Sequence, residues 1–449
     1  MSSEYAKLKN IAVVAHVDHG KTTLVDGLLQ QSGTFDERAE IVDRVMDSGD
    51  IEKERGITIT AKNCAFVWGD TKINLLDTPG HADFGGEVER ALMMVDGILL
   101  LVDASEGPLP QTRFVLQKAM EQNHKIAVVI NKIDRPDERI EEVKGEIEDL
   151  FLELATQLEI EDFDLDIPIL YSSARDGWAT HDPSVKKENM HDILDFFIGD
   201  FFPLPKVDTT SDDCQLLITN LTYSTYKGQM FVGRIQRGSM EKNKQYVWCD
   251  EDRKDKKFKV SSIQIFDKIE MKEVDKAEAG EIVIVSGLEN MKIGDSICST
   301  ERVDPLPRIT IEPPTVSVNV SVSTSPLSGK EGEYLTSRKL EEFLDESVKI
   351  NVALQYEGTD DPKVYKLKGR GELQLAICFE ELRRQGFEFM VSRPEVVFEK
   401  NEDGQKTEPF ERVVLDIPSD CTGAITEKLS IRKGIMDAMV PIGEERPRM

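Results

Sequence analysis

Apolar positions between Ile11 and Ala174 gather into short, nearly unbroken runs: IAVVA (Ile11 to Ala15), INLLD (Ile73 to Asp77), ILLLVDA (Ile98 to Ala104), IAVVIN (Ile126 to Asn131) and IPILYSSA (Ile167 to Ala174). Runs without polar alternation mark strands buried on both faces, as in a parallel sheet covered by helices. Segments with helical spacing, such as TTLVDGLLQQ and QTRFVLQKAMEQ, separate them and supply the crossovers. The pattern predicts a doubly wound α/β domain whose ligand sits at the C-terminal ends of the strands.

The pattern changes at FFPLPKVD, Phe201 to Asp208. Beyond it, LLITNLTY, QMFVGRIQRGSM, KNKQYVWCD, AGEIVIVSGLE and IGDSICS are short strands with glycine turns, which predict a small antiparallel β-barrel. After PLPRITIEPPT come strands TVSVNVSVST, NVALQYE, VYKLKG and FEFMVSRPE with helices SRKLEEFLDESV and GELQLAICFEELRRQG, an α+β, ferredoxin-like arrangement. A last piece, with strand RVVLDIPSD, a helix around GAITEKLSIRKG and strand MDAMVPIG, is half of a split βαβ unit. The expected fold class is therefore multidomain α/β, with domains at residues 1–204, 205–305 and 306–400, and a partial domain at 408–449. That last domain is expected to be incomplete, or the chain to lack its natural C-terminus.

Charge narrows the partners. A formal net charge of -28 disfavours a generic nucleic-acid coat, because phosphate repels an acidic surface. Local contact with RNA stays open, and RKDKKFK (Arg253 to Lys259) is either a solvated turn or such a contact. The acidic stretch from Asp137 to Asp166 carries an apolar stripe of Ile140, Val143, Ile147 and Phe151, so it reads as a solvated helix face. Six scattered cysteines without a C-x-x-C pair point to buried thiols in a reducing, cytoplasmic compartment. No signal-peptide core or membrane-length apolar run is present, so no membrane partner is expected, and a monomer is.

Five short words carry the chemistry. In AHVDHGKTT, strand, loop, G-K-T and helix follow in the order a phosphate loop requires. Gly20 admits phosphate to the backbone, and the N–H groups from Asp18 through His19, Gly20, Lys21 and Thr22 to Thr23 can point at it. Lys21 would reach the β- and γ-phosphates and the Thr22 hydroxyl would bind Mg²⁺. Ala15 replaces the usual opening glycine, which requires negative φ there. His16 and His19 flank a turn that must wrap phosphate, which argues against a transition-metal site. In ERGITI, Thr58 is the candidate to complete the Mg²⁺ shell, against an ordinary strand start. In DTPGH, Asp77 is placed to hold a Mg²⁺-bound water, Gly80 to bond the γ-phosphate, and His81 to orient an attacking water. In NKID, the Asp134 carboxylate can accept guanine N1–H and N2–H₂, a donor pair adenine lacks, while Asn131 bonds the base edge and the Lys132 stem covers the ring. In SSA, a backbone amide at Ser173 or Ala174 could meet guanine O6. Together, each at the end of a predicted strand, the five words predict a GTP/GDP site with turnover.

With these residues in view the chain resembles the translational GTPases, through AHVDHGKT, RGITI, DTPGH, Gly233-Arg234-Ile235 and Gly369-Arg370-Gly371-Glu372-Leu373. Within them it is most similar to the BipA/TypA family, through Phe35–Glu40, Arg44–Asp47, His81–Arg90, Gly386-Phe387-Glu388 and Val391–Pro394. The resemblance implies that His81 positions the hydrolytic water on the ribosome and that Val17 and Ile57 form an apolar gate beside it. It also implies a monovalent cation near Asp18. Implied partners are the ribosome, as 70S or subunits, with rRNA met through local basic patches, and guanine nucleotides including (p)ppGpp. The implied role is ribosome assembly or stress-adapted translation; the rival is a non-hydrolysing guanine-nucleotide or alarmone sensor. The short interval between SRPEVVFEK and EPFERVVLD leaves no room for the extra domain of a translocase. The family continues into a completed fifth domain and a distinctive C-terminal domain.

Overall fold

The computed structural model describes residues 6–33, 50–55, 57–160, 166–224, 227–250, 256–309, 313–351, 353–400, 404–410, 413–415, 417–442 and 446–448. The stretches Phe35–Glu40 and Arg44–Asp47, together with Gly56 and Arg253 to Asp255, lie outside the described residues.

In the first unit the chain runs β1 (Lys7–Ala15), α1 (Lys21–Gln31), α2 (Asp50–Arg55), β2 (Lys62–Trp68), β3 (Thr71–Asp77), α3 (Gly85–Leu92), β4 (Gly97–Asp103), α4 (Pro110–Glu121), β5 (Lys125–Asn131), α5 (Ile140–Gln157), β6 (Ile169–Ser173), β7 (Trp178–Thr180) and α6 (His191–Ile198). The sheet order is β2-β3-β1-β4-β5-β6-β7, parallel from β3 to β6 with antiparallel strands at both edges. Alternate residues of β1 go to opposite faces. Ala12 and Val14 join Leu92, Leu116 and Phe151 of α3, α4 and α5. Ile11 and Val13 join Leu28 and Phe197 of α1 and α6. Such two-sided burial is why the inner strands read as unbroken apolar runs. Because β1 lies between β3 and β4, the crossovers on its two sides diverge, and a crevice opens at its C-terminal end.

Next come β8 (Gln215–Ser224), β9 (Gly228–Arg237), β10 (Ser239–Glu241), β11 (Gln245–Cys249), β12 (Lys256–Lys259), β13 (Ser262–Asp267), β14 (Glu270–Val274), β15 (Lys276–Glu278), β16 (Ile282–Ser286) and β17 (Ser296–Ser299). Eight of these strands form one antiparallel sheet around Ile218, Phe231, Tyr246, Ile263 and Val283; β10 pairs with β15. The edge strand β12 buries Phe258 and exposes Lys256, Lys257 and Lys259. Exposed lysines on an edge discourage pairing with other chains.

This unit is locked to the first. Met230, Val232, Ile282 and Ile284 enter the same core as Ala12 and Val14. Arg234 pairs with Asp96 at 2.9 Å, both side chains under a tenth exposed. Lys72 donates to both carboxylate oxygens of Glu281 at 2.9 Å, again buried. Breaking one partner of a buried pair strands the other charge, so Glu281→Ala is expected to cost about 3–5 kcal/mol in urea unfolding. The double variant Lys72→Met/Glu281→Leu should cost less than the two single variants summed, and strict additivity would show the pair to be uncoupled.

The third unit comprises β18 (Val316–Val322), α7 (Ser337–Ile350), β19 (Gln355–Gly358), β20 (Val364–Gly369), α8 (Glu372–Arg384), β21 (Phe389–Val391) and β22 (Glu395–Val396). Its sheet runs β19-β20-β18-β21, and both helices cover one core of Val318, Leu344, Leu367 and Leu382. The final piece differs from expectation. Val413, Val414 and Leu415 form no strand; β23 (Glu399–Lys400) pairs with β24 (Lys406–Thr407), and α9 (Thr422–Ile431) precedes a hairpin of β25 (Val440–Ile442) and β26 (Arg446–Arg448). A strand needs a partner ladder, and here Val440 to Ile442 pair with Arg446 to Arg448, while among the described residues the run before the helix meets that hairpin through one backbone bond, from the Ile417 N–H to the Pro447 carbonyl at 3.2 Å. No residue of α9 is buried.

Candidate functional site

The crevice beyond β1 is built from loop backbone. Ala15 stays inside β1 and is not among the positive-φ residues, so its Cβ costs nothing. Asp18 and Gly20 adopt left-handed conformations, φ 65° and 92°, and Gly20 ends the loop as the N-cap of α1. A Cβ on Gly20 would stand 2.6 Å from the Asn131 amide nitrogen, so only glycine fits. The loop wraps a cavity of about 240 Å³ lined by His16, Val17, Asp18, Gly20, Lys21, Thr22, Thr23, Ile57, Thr58, Gly80 and Lys132. The apolar pair Val17 and Ile57 thus faces the same space.

Three expected ligands meet here. Lys21 is buried; its ammonium forms an ion pair with Asp77, at the end of β3, and donates to Thr58 Oγ1 at 3.1 Å. Asp77 and Thr58 are buried as well. An ammonium, a buried carboxylate, two threonine hydroxyls and a helix N-terminus are the donor set that phosphates with a hard divalent cation require. The residues present therefore fit Mg²⁺ and a nucleotide phosphate chain.

His81, with its side chain 34% exposed, follows Gly80 at the mouth. Its Nδ1 accepts the Asp83 N–H at 3.2 Å and lies 3.6 Å from Asp83 Oδ1. His19 behaves differently. It is fully buried under the loop, with Nδ1 3.4 Å from the Leu101 carbonyl. Burial first, then neighbouring His16, pushes its pKa from 6.5 down to about 4, so it is a neutral wall. Between those values the unfolded chain binds a proton that the fold refuses. Stability is thus whole above pH 6.5 and falls toward pH 4, by on the order of 3 kcal/mol from this residue. Urea midpoints at pH 7 and pH 5 should show this slope, and an unchanged slope in His19→Gln would remove His19 as its source.

At the other end of the crevice, β5 and β6 bring NKID and SSA side by side, with Asn131 opposite Ser172 in register. Asn131 is buried, and its expected base-edge amide is used within the protein. Its nitrogen donates to the His19 carbonyl at 2.9 Å, while its oxygen accepts Ser172 Oγ at 2.9 Å and the Ala174 N–H at 3.0 Å. Asn131 thus staples the phosphate loop to both base loops. Lys132, at φ 64°, donates to the Asp18 carbonyl at 2.6 Å, and Asp134 accepts from Arg175 at 3.0 Å. Ser173 is fully buried, its backbone carbonyl accepting from Gly177 at 2.9 Å.

Asp103, not singled out from the sequence, completes this end. It closes β4, is fully buried, and holds Lys132 Nζ at 2.7 Å. Burial alone would raise its pKa, but hydrogen bonds from Lys132 and Ser105 outweigh that and hold the carboxyl well below the usual range. The available signal was an aspartate ending the apolar run ILLLVDA.

Comparison with known proteins follows the same lines. The model of the elongation factor Tu GTP binding domain matches residues 6–349. The large ribosomal subunit assembly factor BipA of Escherichia coli strain K12 is 48% identical over 443 residues, covering 99% of this chain and 72% of that protein. The protein of the same name from Bacillus subtilis strain 168 is 46% identical over 442 residues, covering 98% and 71%. A crystal structure of a Thermus thermophilus protein superimposes with a TM-score of 0.69 over 98% of this chain and 92% of that one; at 16% identity this shows the fold alone.

Proposed function

Because the chain belongs to the BipA family of translational GTPases, we propose that it binds GTP with Mg²⁺, hydrolyses it on engaging the ribosome, and uses the cycle as a switch in assembly of the large ribosomal subunit. The observation that carries this reading is the meeting of Lys21, Thr58 and Asp77 at the mouth of a loop shaped for phosphate.

In this reading Lys21 and the N–H groups from Asp18 to Thr23 hold the β- and γ-phosphates, and Gly80 bonds the γ-phosphate. Thr22, Thr58 and, through water, Asp77 would hold Mg²⁺, which when bound neutralises charge on the phosphate oxygens. The exposed Asp18 is assigned to a monovalent cation at the lip. Asp134 selects guanine, Lys132 covers the ring, and Asn131 acts by fixing the two base loops; of the two expected amides, that of Ala174 is spent on Asn131 Oδ1 in this structure, so meeting guanine O6 falls to Ser173 or requires Ala174 to exchange partners. The same pocket would take (p)ppGpp, which shares the guanine and its diphosphate. His81 orients water for in-line attack behind the gate of Val17 and Ile57. Loss of the γ-phosphate then frees Thr58 and the Gly80–His81 loop. Local basic patches such as β12 are assigned to rRNA, and the protein is taken to work as a cytoplasmic monomer. Among the described residues no helix is long and apolar enough to cross a membrane.

Phosphate release from GTP and from ATP, each with and without 70S ribosomes, tests the reading. GTP-only release that rises with ribosomes is expected. GTP binding without release under either condition would overturn the catalytic part.

A further inference from the structure

The Gly369-Arg370-Gly371-Glu372-Leu373 stretch has no part in the nucleotide site, yet it touches the segment that carries His81. Helix α8 begins just after Gly371, an N-cap without a side chain to satisfy the first helical N–H groups. The cap comes from the first unit instead. Asp83 Oδ2 accepts the N–H of Leu373 at 3.0 Å and of Gln374 at 3.3 Å. A Cβ on Gly371 would lie 2.2 Å from that same oxygen, so glycine is what admits the carboxylate. A negative charge here also meets the positive end of the helix dipole.

Two further contacts tie α8 to the nucleotide site. Its last turn places Arg384 against Glu54 on α2, three residues before Ile57. Between its ends, Ile377 packs with Ile51 and Phe84, and Leu373 and Ile59 border them. One helix therefore touches both segments on which the nucleotide reading depends, the one that leads to Thr58 and the one that carries His81. Asp83 is the residue common to cap and catalytic loop. Its carboxylate holds α8 through Oδ2 and lies 3.6 Å from His81 Nδ1 through Oδ1, while its backbone N–H holds the ring through the same Nδ1.

We propose that Asp83 is a positioning residue for GTP hydrolysis: α8 of the third unit fixes its carboxylate, and Asp83 in turn fixes the orientation of His81. This rests on the reading of His81 as the residue that orients water. Docking of the third unit thereby becomes part of the catalytic geometry.

The test compares Asp83→Ala, Asp83→Asn, Gly371→Ala, His81→Ala and the Asp83→Ala/His81→Ala pair. Single-turnover GTP cleavage is measured with and without 70S ribosomes, with kcat, KM and GTP affinity separated and thermal melts confirming the fold. Asp83→Ala and Gly371→Ala should lower kcat about 10- to 100-fold while KM and affinity stay within about twofold. Asp83→Asn, whose amide oxygen still accepts, should recover most of the rate. Gly371→Ala leaves every residue of the nucleotide site, Asp83 included, chemically unchanged and acts only by forcing the carboxylate off its cap, so its loss reports the docking of α8 on Asp83. Adding His81→Ala to Asp83→Ala should cost nothing beyond His81→Ala alone. Normal rates in Asp83→Ala and Gly371→Ala beside an inactive His81→Ala would overturn this proposal alone. A normal rate in His81→Ala would overturn the His81 reading and this proposal with it.

Discussion

Replacing His81 with alanine is expected to lower ribosome-stimulated GTP cleavage by about 10²–10⁴-fold while GTP affinity stays within about twofold. The two effects separate because His81 lies beyond the phosphate grip. Lys21, the loop from Asp18 to Thr23 and the base loops remain in place without it. The ring is held at Nδ1, by a hydrogen bond from the Asp83 N–H with Asp83 Oδ1 3.6 Å away, which directs Nε2 away from the backbone that fixes it. A side chain that is one-third exposed and anchored on one edge can point at water without forming part of the binding wall. Single-turnover cleavage and equilibrium binding of a fluorescent GTP analogue check the two halves. An unchanged stimulated rate would remove His81 from the mechanism, and a matching loss of affinity would make it a binding residue instead.

Lys21→Met is expected to act through two terms. The first is binding: a lysine ammonium on phosphate makes charge-assisted hydrogen bonds, and losing them should weaken GTP by about 10²–10³-fold. The second is stability. Asp77 is fully buried and Lys21 is its ion-pair partner, so the truncation leaves a charge in the core and should cost about 3–5 kcal/mol. A second variant separates the terms. Lys21→Met/Asp77→Asn removes both charges and should regain most of the lost stability without regaining GTP. Binding measured by calorimetry and stability by urea unfolding would decide the matter. Recovery of GTP binding in the double variant would show that Lys21 acts on the fold rather than on phosphate.

Much of this site was legible in the sequence because its residues end strands that are buried on both faces. The apolar runs locate β1, β3, β4, β5 and β6, and the loops that leave the C-terminal ends of β1, β3 and β5 supply lining of the crevice, through residues from His16 to Thr23, Gly80 and Lys132. Edge elements were harder to see. In KNCAFVW of β2, only Cys64, Ala65 and Phe66 are buried, so no continuous run announces the strand. Val413, Val414 and Leu415, in the expected strand, form none for a related reason. Pattern alone does not supply a partner, and the terminal hairpin pairs with itself.

Roles that depend on register were not legible either. Asn131 was expected to bond the base edge, as part of NKID at the end of its strand. Only the pairing of β5 with β6 reveals that Ser172 and Ala174 saturate its oxygen. The left-handed conformations of Asp18 and Lys132 are likewise set by the hydrogen bonds of the folded loops rather than by residue type. Asp83 sits 290 residues from the amide it caps, a distance no spacing rule spans.

The joints between the three units differ in kind. Between the first and second run a shared apolar core and two buried ion pairs, Arg234 with Asp96 and Lys72 with Glu281. Between the first and third lie a capping carboxylate, a small apolar cluster and the Arg384–Glu54 pair, whose glutamate is 64% exposed. Exposed pairs contribute little, whereas a buried core resists sliding. The first two units thus form a fixed chassis, and the softer joint is the hinge. Because that joint bears directly on α2 and on the turn after His81, a displacement at the phosphate end would reach the third unit as a turn about it sooner than it would deform the chassis.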